Sequence, residues 1–478
     1  MFPREKTKII CTLGPSTNSV EMLLKLIEAG MDVVRLNFSH GSYDDHLKTI
    51  DNVNEAARRS NTTLTILQDL QGPKIRIGEI KEPFIELHTG DTFSITTETV
   101  AGDKTRVSTT YGNLTRDVHA GDRILLDDGK MRLRVLEVKT STVVCEVIIG
   151  GILSSNKGIN LPGVAVSAPS FTPKDLHDLE FGIKHEVDYV ALSFVRTAED
   201  LRALRQEVIS RIPKGRFLPI IAKIEKPQAI ANIDSIISEA DGIMIARGDL
   251  GVELAPEDVP ILQKMIIKKC NEVGKPVIIA TQMLESMINS PTPTRAEASD
   301  VANAVIDGGD AVMLSGETSV GKYPLEAVHI MSRIIMKVES EHIGPRLLYA
   351  LQSSGVTSRL DALGRAACVL AEQMSAAAIV CVTHSGATAR VLSRYRPEPQ
   401  IIAITDRMKI RRRLNLIWGV QGMVIESLND DSDVALKRIQ EQLLRSGIVS
   451  SGDYIVLLAG QPFFAGGSTN FIKVEKVE

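Results

Sequence analysis

The sequence predicts an α/β protein: a (β/α)8 TIM barrel with an inserted β-barrel lid domain and a second α/β domain at the C-terminus. Three observations carry this reading. Short β-branched runs alternate with helical stripes, three runs before an interruption and five after it, which makes eight βα units. The interruption itself switches to period-two alternation. The chain has 478 residues, beyond the roughly 250–300 at which a single core stops growing. An open doubly wound sheet is the structural alternative, and the count of eight favours the barrel.

The first strands are KIICTLG (8–14), DVVRLNFS (32–39) and LTILQDL (64–70), apolar throughout as strands covered on both faces must be. Between them VEMLLKLIEAG (20–30) has a helical stripe closed by glycine, and 43–59 is polar and helix-compatible. From Gly72 the segments FIELHTGDTFSITTE, RILLDDGKMRLRVLEV and TVVCEVIIGG alternate in period two, punctuated by Gly-Asp and Asp-Gly turns. This marks an all-β insertion over 72–168. The alternation of strand and helix resumes with YVALSFV (189–195), LPIIAKIE (218–225), GIMIARGD (242–249), PVIIATQ (276–282) and AVMLSGE (311–317). The barrel thus takes 1–71 and 169–344, and the C-terminal domain 345–478. In that domain AAAIVCVTH, IIAITD, GMVIESL, YIVLLAG and FIKVEKV are the expected strands.

Composition excludes several classes. Hydrophobic residues are 44% and charged residues 24%, a globular balance. The apolar run AAAIVCV (376–382) is far short of the roughly 20 residues that span a bilayer. A net charge of −4 and 4% aromatics offer neither a basic field nor stacking platforms for nucleic acid. Five scattered cysteines form no C-x-x-C pair, and the N-terminus lacks an apolar secretory core, so a cytoplasmic enzyme for small molecules is expected.

Barrels build their active sites at the C-terminal strand ends. Those ends carry Asn37, Ser39, Asp69, Ser193, Lys223, Glu225, Arg247, Asp249, Thr281, Gln282, Ser315 and Glu317. Polar strand ends are ordinary, but Lys223 and Glu225 lie two apart and share one face of a strand. A buried lysine beside a carboxylate is costly unless it pairs or works. Glu225 and Asp249, on adjacent strands, could hold a hard divalent cation while leaving positions for water and substrate. With Lys223 and Arg35 they suit an anionic, phosphorylated substrate. GETSVGK (316–322) mimics a P-loop, but Tyr323 stands where the hydroxyl residue belongs, so the match is read as chance.

VVRLNFSHG, LQDLQGPKIR, KGINLPG, IIAKIEKPQAI, GIMIARGDLGVE, IIATQMLESM, PTPTRAEASDVANAV and AVMLSGETSVGKYP resemble, in this order, the motifs of the pyruvate kinase family. The resemblance runs from about Lys6 to Glu475. It implies phosphoryl transfer from phosphoenolpyruvate to ADP, giving pyruvate and ATP. It implies Mg²⁺ (or Mn²⁺) on Glu225 and Asp249, and Lys223 against the transferring phosphoryl group and the enolate oxygen. Arg35 and Arg76 would clamp the phosphate. The N–H groups at Gly248 and Asp249 would take the carboxylate, and Thr281 would lie at the enolate face, relaying a proton with Ser315 and Glu317. Asn37, His40, Arg76, Lys157 and Asp128 would serve the nucleotide. A Mg²⁺-dependent aldolase or lyase would share the lysine and carboxylates but need no nucleotide lid.

Two finer expectations depend on this resemblance. Relatives hold K⁺ with groups corresponding to Asn37, Ser39, Asp69 and the carbonyl of Leu70. Those relatives carry glutamate where this chain has Lys74, so a covalent positive charge would replace K⁺ and the cation would not be required; a Lys74 that points into solvent from the lid hinge, with the K⁺ site intact, is the alternative. THSGAT, with Thr383, Ser385, Gly386 and Thr388, resembles the effector-phosphate loop, and a turn capping the next helix is the equal alternative. The facing loop 461–469 lacks a basic residue. That disfavours fructose 1,6-bisphosphate and points to AMP or a sugar monophosphate. A homotetramer is implied as well.

Overall fold

The computed structural model describes residues 5–164, 166–341, 358–426, 432–460 and 469–478. Eight parallel strands close into a barrel, each hydrogen-bonded to its neighbours in sequence. They are β1 (Lys8–Thr12), β2 (Met31–Asn37), β3 (Thr65–Asp69), β4 (Tyr189–Leu192), β5 (Ile220–Ile224), β6 (Gly242–Ala246), β7 (Val277–Ala280) and β8 (Ala311–Leu314). Each strand is shorter than the run that predicts it, chiefly because the last residues of the runs leave the ladder at the rim. The helices follow local signals. Ser42 and Thr172 cap their helices through reciprocal capping boxes, and Gly30, at φ 117°, ends the helix Val20–Ala29 in the left-handed conformation that glycine alone adopts freely.

Period-two alternation sorts the strand side chains. Ile10, Val33, Leu67, Ala191 and Ile221 fill the barrel interior. The outward set packs against the helices in a separate, larger core. Two residues beyond each interior residue come Thr12, Arg35, Asp69, Ser193 and Lys223, so the same face that is apolar below turns polar above.

Between β3 and β4 the chain forms a six-stranded sheet and a two-stranded one around their own core, which includes Phe93, Leu126, Leu133 and Val147. This region also holds a short helix, Leu114–Asp117, which corrects the purely β expectation. The C-terminal region has a five-stranded sheet. Ala378–Val382, Gln400–Thr405, Val420–Val424 and Tyr454–Ala459 are parallel, and Phe471–Lys476 runs antiparallel on the edge. The third of these strands starts two residues earlier than its predicted run, and Leu428 at the end of that run lies outside the described residues. Cores lie on both faces of this sheet. From this region Leu416 enters the floor of the barrel interior. All five cysteines are buried and free. No described helix is long and apolar enough to cross a membrane.

Candidate active site

At the C-terminal end of the barrel, β2 and β3 pair Asn37 with Asp69, and β3 and β4 pair Asp69 with Ala191. That register sets Arg35, Asp69, Ser193 and Lys223 side by side on the inward face. The Arg35 guanidinium donates to Asp69 Oδ2 from Nε at 2.8 Å and approaches it from Nη2 at 2.7 Å. Its Nη1 donates to Thr12 Oγ1 at 3.0 Å. Lys223 Nζ lies 3.2 Å from Asp69 Oδ1, 3.0 Å from Glu225 Oε1 and 2.8 Å from Ser193 Oγ. The contact with Ser193 is a hydrogen bond, and the two with carboxylates are ion pairs. Asp69, a carboxylate assigned by resemblance only to a cation site, is the bridge between the arginine and the lysine.

Charge follows from these contacts. Burial works against the Lys223 ammonium, but Asp69 and Glu225 outweigh it and hold it protonated above the usual lysine range. Burial likewise opposes the Asp69 carboxylate, and Lys223 and Arg35 together hold its pKa below normal. Glu225 is pushed the other way. Its burial and the charge of Asp249 raise its pKa against the pull of Lys223. The donor set fits a divalent cation, since two carboxylates that repel each other in a buried cleft are relieved by a hard cation between them. Among the described residues no group of three or more His, Cys, Asp or Glu could hold a metal, so substrate and water would complete the shell.

The other rim residues are set by backbone turns. Thr281 and Gln282 follow β7 with φ of 67° and 55°, and Phe194 follows β4 with φ of 56°. Left-handed conformations in non-glycine residues cluster at functional sites. Thr281 Oγ1 accepts the Gly248 N–H at 2.7 Å, so the amide expected to meet a substrate carboxylate is already engaged. Arg247 donates to the carbonyl of Thr281 at 2.8 Å and pairs with Asp300, which makes it a support for the turn. Glu317 accepts the N–H groups of Leu284 and Ser315 at 3.1 and 2.7 Å. Both of its oxygens accept backbone N–H groups, which holds the carboxylate in place beside the turn after β8. The same caps account for the P-loop look-alike as a short turn after β8.

The remaining expected residues lie further out. Leu70 is buried, and its carbonyl accepts the Ser193 hydroxyl at 2.7 Å. Asn37 Oδ1 accepts the Ser39 N–H at 3.1 Å, and His40 is exposed. Arg76 sits on the inserted region and donates to the Asn156 carbonyl at 3.0 Å, not to any rim group. Lys157 pairs with Asp127 at 2.9 Å, a partner that sequence reasoning missed beside Asp128. Asp128 lines the cleft between inserted region and rim together with Lys74, Gly158, Phe194, Lys226 and Asp249. Glu253, also missed, accepts from Asn160 of the inserted region at 3.0 Å and from Lys226. In the C-terminal region the Thr383 hydroxyl accepts the Gly386 N–H at 3.0 Å, and Thr388 meets Thr469 at 2.9 Å. Ser385 is exposed. The rest of the facing loop, 461–468, lies outside the described residues.

Comparison with known proteins places this arrangement. The family descriptions "Pyruvate kinase, barrel domain" and "Pyruvate kinase, alpha/beta domain" match residues 4–328 and 361–475. The chain is 45% identical to a Geobacillus stearothermophilus pyruvate kinase over 99% of its own length and 81% of that protein's. It is 46% identical to a Mycobacterium tuberculosis pyruvate kinase over 98% of both. A crystal structure of a Cryptosporidium parvum pyruvate kinase superposes with a TM-score of 0.94 at 41% identity, covering 99% of this chain and 96% of that one. With both domains matched and similarity running nearly end to end, the chain belongs to the pyruvate kinase family of phosphotransferases.

Proposed function

We propose that this chain transfers the phosphoryl group of phosphoenolpyruvate to ADP, giving pyruvate and ATP. The observation that carries this reading is the Lys223 ammonium, held charged between Asp69 and Glu225 beside Arg35. Such a centre offers positive charge where the transferring phosphoryl group and the enolate oxygen gain negative charge. Mg²⁺ or Mn²⁺ on Glu225 and Asp249 would polarise those oxygens when bound. Arg35, fixed by Asp69 and Thr12, orients the phosphate, and Arg76 reaches it from the inserted region. Gly248 and Asp249 take the substrate carboxylate, the former by exchanging Thr281 for substrate. Thr281 then faces the enolate carbon and guides its proton. Asn37, His40, Lys157 and Asp128 serve the nucleotide. The separate cores support division into a barrel (1–71 and 169–344), a lid (72–168) and a regulatory domain (345–478). A cytoplasmic homotetramer completes the reading. A coupled assay for ATP formation from phosphoenolpyruvate and ADP tests it, and activity only with 2-oxo acid cleavage substrates would overturn it.

K⁺ independence belongs to the same proposal. Lys74 is exposed at the cleft that Asp128 and Asp249 also line, and its place beside those carboxylates is what supports a working charge there. One oxygen each of Asn37, Asp69 and Leu70 accepts from a protein donor. Full activity in tetramethylammonium buffer is expected, and Lys74→Glu should create activation by KCl. Strong K⁺ activation of the unmodified protein would overturn this. For the loop Thr383–Thr388, the Thr383–Gly386 hydrogen bond supports the capping turn. The exposed Ser385 and the left-handed Gly386 leave a phosphorylated effector such as AMP or a sugar monophosphate as the functional reading. Ser385→Glu should abolish activation by such compounds, and intact activation would place the site elsewhere.

A further inference from the structure

We propose that the turn Ser193–Phe194, just beyond β4, positions the Lys223–Glu225 pair, with Ser193 as a positioning residue for the lysine. The proposal rests on the phosphoryl-transfer reading above. Lysine has a flexible four-carbon stem, and two anionic partners alone would hold its charge without fixing its place. The third partner is neutral. Ser193 is 3% exposed, and its hydroxyl hydrogen is committed to the Leu70 carbonyl at 2.7 Å. Its lone pair is therefore turned to Lys223, which donates at 2.8 Å. A bound cation and a phosphoryl oxygen compete for Glu225 and for the lysine protons, but nothing in the reaction competes for Ser193.

The next residue holds the other member of the pair. Phe194, at φ 56°, directs its N–H to Glu225 Oε2 at 2.7 Å. An aromatic residue in that conformation is strained and persists only where its surroundings over-determine it. Two contacts do so here. The Lys226 ammonium lies 5.6 Å from the Phe194 ring centroid. Gly72, at φ 70°, presses from above, and a Cβ there would come within 2.9 Å of Phe194 Cδ2 and 3.1 Å of Ser193 Cβ. Leu70 and Gly72 lie where the chain leaves the barrel for the inserted region. One turn thus links that exit to both Lys223 and Glu225.

The test compares Ser193→Ala and Ser193→Thr with the unmodified protein in steady-state kinetics, Mn²⁺ binding and thermal unfolding. For Ser193→Ala, kcat should fall about 10–100-fold, since small misplacements of a catalytic group cost up to roughly 10²-fold. KM for phosphoenolpyruvate and Mn²⁺ affinity should each stay within about threefold, because the residue acts on the lysine and not on substrate or metal uptake. Ser193→Thr, which keeps the hydroxyl, should recover most of the loss. Unchanged kcat in Ser193→Ala, a change confined to KM, or a loss that tracks thermal stability and is not rescued by Thr would overturn the proposal. An unmodified protein unable to make ATP from phosphoenolpyruvate would instead overturn the reading on which it rests.

Discussion

Both ends of the barrel bury carboxylates against basic side chains, and they do so in opposite ways. At the C-terminal end Asp69 is shared between Arg35 and Lys223, and Lys223 is shared in turn with Glu225. At the N-terminal end the pairs are one to one: Asp310 with Arg396 at 3.1 Å, Asp188 with Arg412 at 3.0 Å, and Asp32 with Lys8 at 3.9 Å. Burial raises the pKa of all three N-terminal carboxyls despite their partners, taking Asp32 to about 6. Asp69, equally buried, goes down because two cations face it. A network with shared partners can exchange one of them for substrate without stranding a charge. A single pair cannot, and two of the three, Asp310–Arg396 and Asp188–Arg412, fasten the C-terminal region to the barrel floor, while Asp32–Lys8 ties β2 to β1.

The largest effect that sharpens this contrast is expected at Lys223. Lys223→Ala should lower kcat by about 10²–10³-fold or more while phosphoenolpyruvate binding changes far less, since its charge is aimed at the reacting centre. Equal losses in binding and turnover would place it among ground-state contacts. Next comes Arg396→Ala, which strands Asp310 and should cost about 3–5 kcal/mol in denaturant unfolding with kcat of the folded protein preserved. Trp418, the single tryptophan, lies 4.7 Å from the Arg396 guanidinium, so its fluorescence reports the same opening. A kcat loss comparable to that of Lys223→Ala would erase the distinction between the two ends.

The smallest effect is a pH dependence. The Asp32 carboxyl titrates near 6 when folded and near 3.9 when unfolded, so the folded state binds its proton more tightly. Its contribution is fully present below pH ~4 and is lost as pH rises through about 6, by about 3 kcal/mol at most. Asp32→Asn, which can still accept the Ile9 N–H that donates to Asp32 at 2.9 Å, removes the titrating group and should flatten that slope, whatever the loss of the Lys8 pair costs at every pH. A steeper slope in the variant would show that Lys8 outweighs burial after all.

Much of the architecture can be read from local pattern. Hydrophobic runs and turn residues mark eight βα units, because a parallel strand must be apolar on both faces and a connecting helix on one. Period two also puts Lys223 and Glu225 on one face, and strand ends mark Asp69, Ser193, Thr281 and Asp249 as rim residues. What the chain alone leaves open is which of these meet. Asp69 joins Arg35 to Lys223 only because the closed barrel sets β2, β3, β4 and β5 in one register. The left-handed turns at Phe194 and Thr281 carry no local signature, since neither residue type favours them. The pairing of Lys157 with Asp127, not its neighbour Asp128, depends on the strand contact that brings 157–159 beside 126–127. Periodicity is a property of neighbours along the chain, so it survives in the sequence. Register, strain and the sharing of a charge among three strands arise only when distant segments meet, and tertiary packing decides them.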